Sequence, residues 1–305
     1  LAVALWADRS AGLSGSIVIC QTINCLTLKR QVLESANMRE NSVSLTPVRN
    51  ILWIGFFAAI LAAWWVMYSM SADMDLDLLG RPGPMAQAMQ GMDPRMDMYM
   101  PMATFGPLFW MWAIMMAAMM LPTLVPTLRS YEDLMTSATG TRAGWLGVLL
   151  GYFVVWVGFA ALIALVQLAL LFSGAIDMLG IATSHWFAGG LLIAVGAFQF
   201  TRAKEVCHGV CHSPMMYFLG HWRTGFGGGM RMGLGLGAFC VGCCWGFMVL
   251  GFVGGVMSLA WMGLATLFMI VEKLPQIGHY VTKPMGFILV AAGLAVLGWP
   301  IFMGG

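Results

Sequence analysis

The stretch GWLGVLLGYFVVWVGFAALIALVQLALLF, residues 144–172, runs from Gly144 to Phe172 without one charged side chain. A helix that crosses a bilayer needs about 20 mostly apolar residues, and this run exceeds that. It shows none of the strict alternation that a membrane β-strand requires. Six further segments meet or approach the same pattern: 51–70, 103–128, 185–201, 230–254, 257–272 and 284–303, with 185–201 and 257–272 the shortest. The expected fold class is therefore all-α, a polytopic helical membrane bundle of about seven transmembrane helices.

Composition points the same way. Of 305 residues, 60% are hydrophobic and 9% are charged, and mean hydropathy is +0.83. Soluble chains carry about 25% charged residues. So few charges cannot coat a water-facing surface, which excludes a soluble enzyme, a nucleic-acid binder and a disordered chain. The expected surroundings are the lipid bilayer. A net charge of +2 offers no reason for an anionic partner.

Positive residues are retained on the cytoplasmic side of a membrane. Arg39 and Arg49 precede the first segment; Arg129 and Arg142, then Arg202, Lys204, Arg223 and Arg231, then Lys273 and Lys283 fall in alternate connections. The other connections carry few: 71–102 has Arg81 and Arg95 among five aspartates, and 173–184 has none. This bias places the N-terminus inside and the C-terminus outside, and the expected location is a bacterial inner (plasma) membrane. Residues 1–37 begin on Leu1 and are weakly patterned, whereas Met38-Arg39-Glu40-Asn41 reads as a natural start. We expect 1–37 to be a non-native or unstructured extension and 38–305 a single transmembrane domain.

Sulfur and imidazole collect in four patches. Of 28 methionines, 15 lie between Met67 and Met120. The first patch is the outer loop 71–102, where Met74, Met85, Met89, Met92, Met96, Met98, Met100 and Met102 alternate with Asp and Pro. Thioethers are soft ligands that suit Cu(I), although Met is also an adaptable filler. The second patch puts Met111, Met115 and Met119 on one helical face with Met116 and Met120 beside them. Such a stripe is more often packing than ligand. Pro122 frees a carbonyl in that helix. The third is Cys240-Val241-Gly242-Cys243-Cys244, three thiols whose spacing sets them on one face near the bilayer's middle. The fourth, in the inner loop 202–229, is Cys207-His208-Gly209-Val210-Cys211-His212, two S/N pairs suited to Cu(I) or Zn(II). Gly229, Gly233 and Gly237 form a small-residue face that admits another helix closely. Lys273, after Glu272 at the end of the sixth segment, is expected to snorkel to the surface.

Several of these runs together resemble one family, the predicted metal-binding integral membrane proteins, a domain of unknown function. The resemblance rests on Met111 through Pro122, Cys207…Cys211-His212-Ser213-Pro214, Trp222-Arg223-Thr224-Gly225, Cys240 through Trp245 and Glu272-Lys273-Leu274, and covers about 50–300. It implies metal binding in a membrane and assigns no reaction. That family usually has Arg after the second loop cysteine, where this chain has His212.

The expected function is binding of a soft metal ion, Cu(I) in preference and Zn(II) as the second candidate, for transfer across or delivery within the membrane. A metallochaperone or metalloenzyme is the expected partner. Two other readings stand beside it: a membrane thiol-disulfide oxidoreductase using Cys207, Cys211, Cys240, Cys243 and Cys244, and a non-catalytic scaffold subunit. No Walker or phosphorylatable-Asp motif is present, so a pump driven by ATP is disfavoured, and an enzyme is the less favoured class.

Overall fold

The computed structural model describes residues 47–84, 87, 104–135, 137–274 and 278–303. Each of the seven apolar segments forms a helix. In chain order the helices of the described residues are α1 (Pro47–Asp73), α2 (Phe105–Met135), α3 (Arg142–Phe172), α4 (His185–Phe198), α5 (Arg202–His212), α6 (Pro214–His221), α7 (Gly225–Val249), the short α8 (Gly251–Gly254), α9 (Leu259–Glu272) and α10 (Gly278–Met303). Among the described residues there is no strand, only the isolated bridges Leu76–Pro82 and Ile176–Ala182. Five stretches are long and apolar enough to cross a membrane, by length and composition: α1, α2, α3, α7 with α8, and Tyr280–Gly298 within α10. The other two apolar helices, α4 and α9, have 14 residues each. At 1.5 Å per residue each reaches about 21 Å, short of a ~30 Å hydrocarbon layer. The segment expected as an inner loop, 202–229, contains two helices, α5 and α6. The 1–37 segment and Met85, Met89, Met92, Met96, Met98, Met100 and Met102 lie outside the described residues.

The chain forms two compact units, Leu1–Ala59 and Ile60–Gly305. The described part of the first is the start of α1, where Trp53 stacks on Phe57 with ring centroids 5.8 Å apart. The candidate site belongs to the second unit.

Within that second unit the glycine face of α7 meets α3. A Cβ added to Gly147 or Gly151 would run into the backbone of Phe226 or Met230, and one on Gly229 or Gly233 into the backbone of Gly144 or Val148. Backbone-to-backbone packing of this kind requires residues without side chains. It brings Tyr152 of α3 against Cys240 of α7. A similar crossing joins α4 to α10, where a Cβ on Gly293 would stand 2.8 Å from the carbonyl of Gly189.

Helix α2 continues through both Pro122 and Pro126 to Met135. Pro122 has no N–H for the carbonyl four residues back, and the indole N–H of Trp64 fills the gap, donating to Ala118 O at 3.0 Å. The freed carbonyl is thus satisfied by α1, as buried backbone requires.

Two connections share one turn. Asp77 Oδ1 accepts from Leu79 N at 2.9 Å and Arg81 N at 2.7 Å; Asp177 Oδ1 accepts from Leu179 N at 3.0 Å and Ile181 N at 2.8 Å. Gly80 and Gly180 close the turns at φ 75° and 73°, the left-handed region that glycine enters without penalty. The two turns bond to the helices on either side of 255–258: Ala260 N, in the first turn of α9, donates to Leu78 O at 2.9 Å, and Ala182 N donates to Phe252 O of α8 at 2.8 Å.

Candidate metal centre

The cysteine run lies in the middle of α7, and Cys240, Cys243 and Cys244 are all buried. The third thiol of the closest group comes from elsewhere. Helix α5 starts on an N-cap at Thr201, whose hydroxyl accepts from Lys204 N, and packs along α7 so that Cys211 Sγ stands 3.7 Å from Cys243 Sγ. The sulfurs of Cys211, Cys240 and Cys243 all lie within 4.8 Å of one another. Three sulfurs around one ion at about 2.3 Å stand roughly 4 Å apart, so this spacing fits a trigonal thiolate site with little movement. Cys244 is adjacent, its Sγ 3.2 Å from that of Cys243.

Polar side chains from three other helices surround the thiols. Tyr152 Oη lies 3.0 Å from Cys240 Sγ. Lys273, at the end of α9, donates from Nζ to Cys240 Sγ at 3.1 Å and to Thr123 Oγ1 of α2 at 2.9 Å. The expected snorkelling of Lys273 does not occur: the residue is 7% exposed, because Cys240 and Thr123 give its ammonium partners inside. Glu272 is buried too. Its carboxylate pairs with Lys204 at 2.8 Å and accepts from the Thr282 hydroxyl at 3.0 Å, while Lys204 also donates to Cys243 O at 2.8 Å. Burial opposes the charge on Lys204, but Glu272, Cys244 and Cys243 together outweigh it and hold the ammonium above its ordinary pKa.

The remaining predicted residues are distributed as follows. Cys207 Sγ lies against Gly242, where an added Cβ would come within 2.8 Å of it; burial pushes this thiol up, against the pull of Lys204. His208 and His212 stand with ring centroids 5.4 Å apart on the neighbouring stripe of α5. Burial lowers the pKa of His208, favouring neutral imidazole. Met111, Met115, Met116, Met119 and Met120 are all buried in α2. Thr123 of α2 reaches the thiols' neighbourhood through Lys273, and its hydroxyl donates to Met120 O at 2.8 Å. Sequence reasoning did not single out Thr123, Tyr152 or Lys204. The available signal was weak: a tyrosine in an otherwise apolar run and a lysine one turn before Cys207.

Three clustered thiols with no carboxylate among the closest ligands form a soft site. Comparison with known families agrees: the PpoB2 copper chaperone family matches residues 109–296, more than half of the chain. The chain belongs to that family. The part matched to the copper chaperones holds Met111 through Met120, every thiol of the cluster and Lys273, while the Met-rich loop 71–102 falls before it. No curated protein and no solved structure matches the chain. Membership and the thiol cluster together support copper handling.

Proposed function

We propose that this chain is an integral membrane copper chaperone that holds Cu(I) between Cys211, Cys240 and Cys243, with Cys244 as the exchanging thiol. The observation that carries this reading is the joining of a thiol from α5 to two from α7 within 4.8 Å. Copper is the cargo, passed across or within the membrane to a metallochaperone or metalloenzyme. The seven apolar helices are its spans, with the bilayer thinning locally to meet the short α4 and α9, N-terminus inside and C-terminus outside, in a bacterial inner membrane. Metal binding must displace the thiol protons, so loading releases protons and tightens as pH rises. Zn(II) is the competing ion, since thiolates bind it as well.

The test is copper stoichiometry in the purified full chain. We expect one Cu(I) per chain, lost in Cys211→Ser, Cys240→Ser and Cys243→Ser combined. Unchanged stoichiometry overturns the site. A second reading, thiol-disulfide exchange, is favoured by the 3.7 Å approach of Cys211 Sγ to Cys243 Sγ. It predicts a trappable mixed disulfide in a single-cysteine variant and no requirement for metal.

A further inference from the structure

Cys207, His208, Cys211 and His212 form one patch in sequence, but α5 divides it. Residues at i and i+4 share a stripe, and consecutive residues do not. The two thiols turn toward α7. The two imidazoles line a different space, a cavity of about 430 Å³ whose floor includes Gln199, Lys204 and Thr282 and whose rim includes Glu205 and Lys283.

Three observations distinguish this cavity from a packing gap. His208 Nε2 lies 2.8 Å from Glu272 O; a carbonyl only accepts, so Nε2 carries the proton and Nδ1 keeps the lone pair. Fixing one ring nitrogen on a backbone carbonyl is how proteins orient a metal-ligating imidazole. His212 Nδ1 is buried with no hydrogen-bond partner among the described residues. Gln199 is 2% exposed and lines the same cavity, yet neither its Nε2 nor its Oε1 has a partner there. Buried amides are almost always satisfied by protein, water or ligand.

Charge and donor type narrow the ligand. Lys204 is neutralised by Glu272 at 2.8 Å, and Lys283 shares the rim with Glu205. The formal charges cancel, so an anion gains nothing here. Imidazole and amide donors suit borderline divalent cations, in contrast to the thiolates that select Cu(I).

We infer that His208 and His212 form a second metal site, separate from the thiol cluster, that takes a borderline divalent cation such as Zn(II) or Cu(II), with Gln199 hydrogen-bonding a metal-bound water. This site does not depend on the copper reading of the thiols. The two are joined by one strut: Glu272 accepts His208 at its carbonyl and Lys204 at its carboxylate, and Lys204 donates to Cys243 O.

The experiment saturates the purified full chain with Cu(I), dialyses it against redox-silent Zn(II), and counts both metals. One Zn(II) per chain is expected beyond the copper, with affinity at least tenfold weaker in His208→Ala and in His212→Ala and the copper count unchanged. In the unmutated chain, Co(II) in place of Zn(II) should show no thiolate charge-transfer band, a readout independent of how the variants fold. The site is overturned by absence of zinc uptake, by uptake unaffected in both variants, or by a cobalt–thiolate band. Without any copper binding, zinc uptake that falls in His208→Ala and in His212→Ala and gives no cobalt–thiolate band supports this site and overturns the copper reading alone, whereas zinc held by the thiols overturns this site.

Discussion

Lys273 Nζ donates to Cys240 Sγ across 3.1 Å inside the protein, and it donates as well to the neutral hydroxyl of Thr123. A buried ammonium needs an anionic partner to be tolerated, and the thiol cluster is where that partner forms. In the proposed copper site, three thiolates around Cu(I) would carry a net charge of −2, which Lys273 would reduce to −1. On the proposed function, Lys273 serves the copper-loaded state as a counter-charge.

Replacing Lys273 by Met keeps an unbranched side chain one atom shorter and removes the charge. A hydrogen bond to a charged group contributes about 1.5–3 kcal/mol, so Lys273→Met should weaken Cu(I) roughly ten- to 150-fold. Competition against a chelator of known Cu(I) affinity reads this directly. Affinity equal to the unmutated chain's would show that Lys273 only fills space.

The seven helices were legible because hydrophobic run length is a local property, and the glycine face of α7 was legible for the same reason. The centre was legible in half. Cys240 and Cys243 lie one turn apart in one helix, but Cys211 joins them from 32 residues away, and only the packing of α5 on α7 makes that contact. Lys273 misled for a related reason. A lysine at the end of an apolar helix normally snorkels, and nothing local reveals that Thr123, 150 residues earlier, waits to receive it. The paired turns at Asp77 and Asp177 did carry a readable signal, the repeated Leu-Gly two residues after Asp, which hydropathy alone passes over.

The crossing of α3 and α7 should be intolerant of bulk. A Cβ on Gly233 would meet the backbone of Val148, and overpacking a closed interface costs about 1–3 kcal/mol or more. Gly233→Val should lower the thermal midpoint and also weaken copper binding, because the same crossing places Tyr152 at Cys240. Gly158→Ala, on the partner helix α3 with open space around it, is the control and should leave both unchanged.

The methionines of α2 separate packing from ligation by volume. Met115 and Met119 are each 3% exposed, and Met-to-Leu exchange in a core costs less than about 1.5 kcal/mol. Met115→Leu with Met119→Leu should preserve both the fold and one Cu(I) per chain at the thiols. Loss of copper at unchanged stability would instead make the thioethers ligands. Met115→Ala should cost about 2–5 kcal/mol through the cavity it leaves.

The ion pair of Lys204 and Glu272 permits a test in which single and double changes go opposite ways. Both side chains are 1% exposed and meet at 2.8 Å. Removing one partner leaves the other charge buried, which costs about 3–5 kcal/mol, whereas replacing both by apolar groups of similar size is often neutral or stabilising. Glu272→Gln should therefore lower the thermal midpoint sharply in the metal-free chain, and Lys204→Met with Glu272→Leu should recover most of the loss. Copper affinity should not recover with it: Lys204 Nζ also holds Cys243 O at 2.8 Å, so the double variant loses the donor that fixes the backbone beneath the central thiol. Full recovery of both stability and affinity would reduce the pair to a structural brace with no bearing on the copper site.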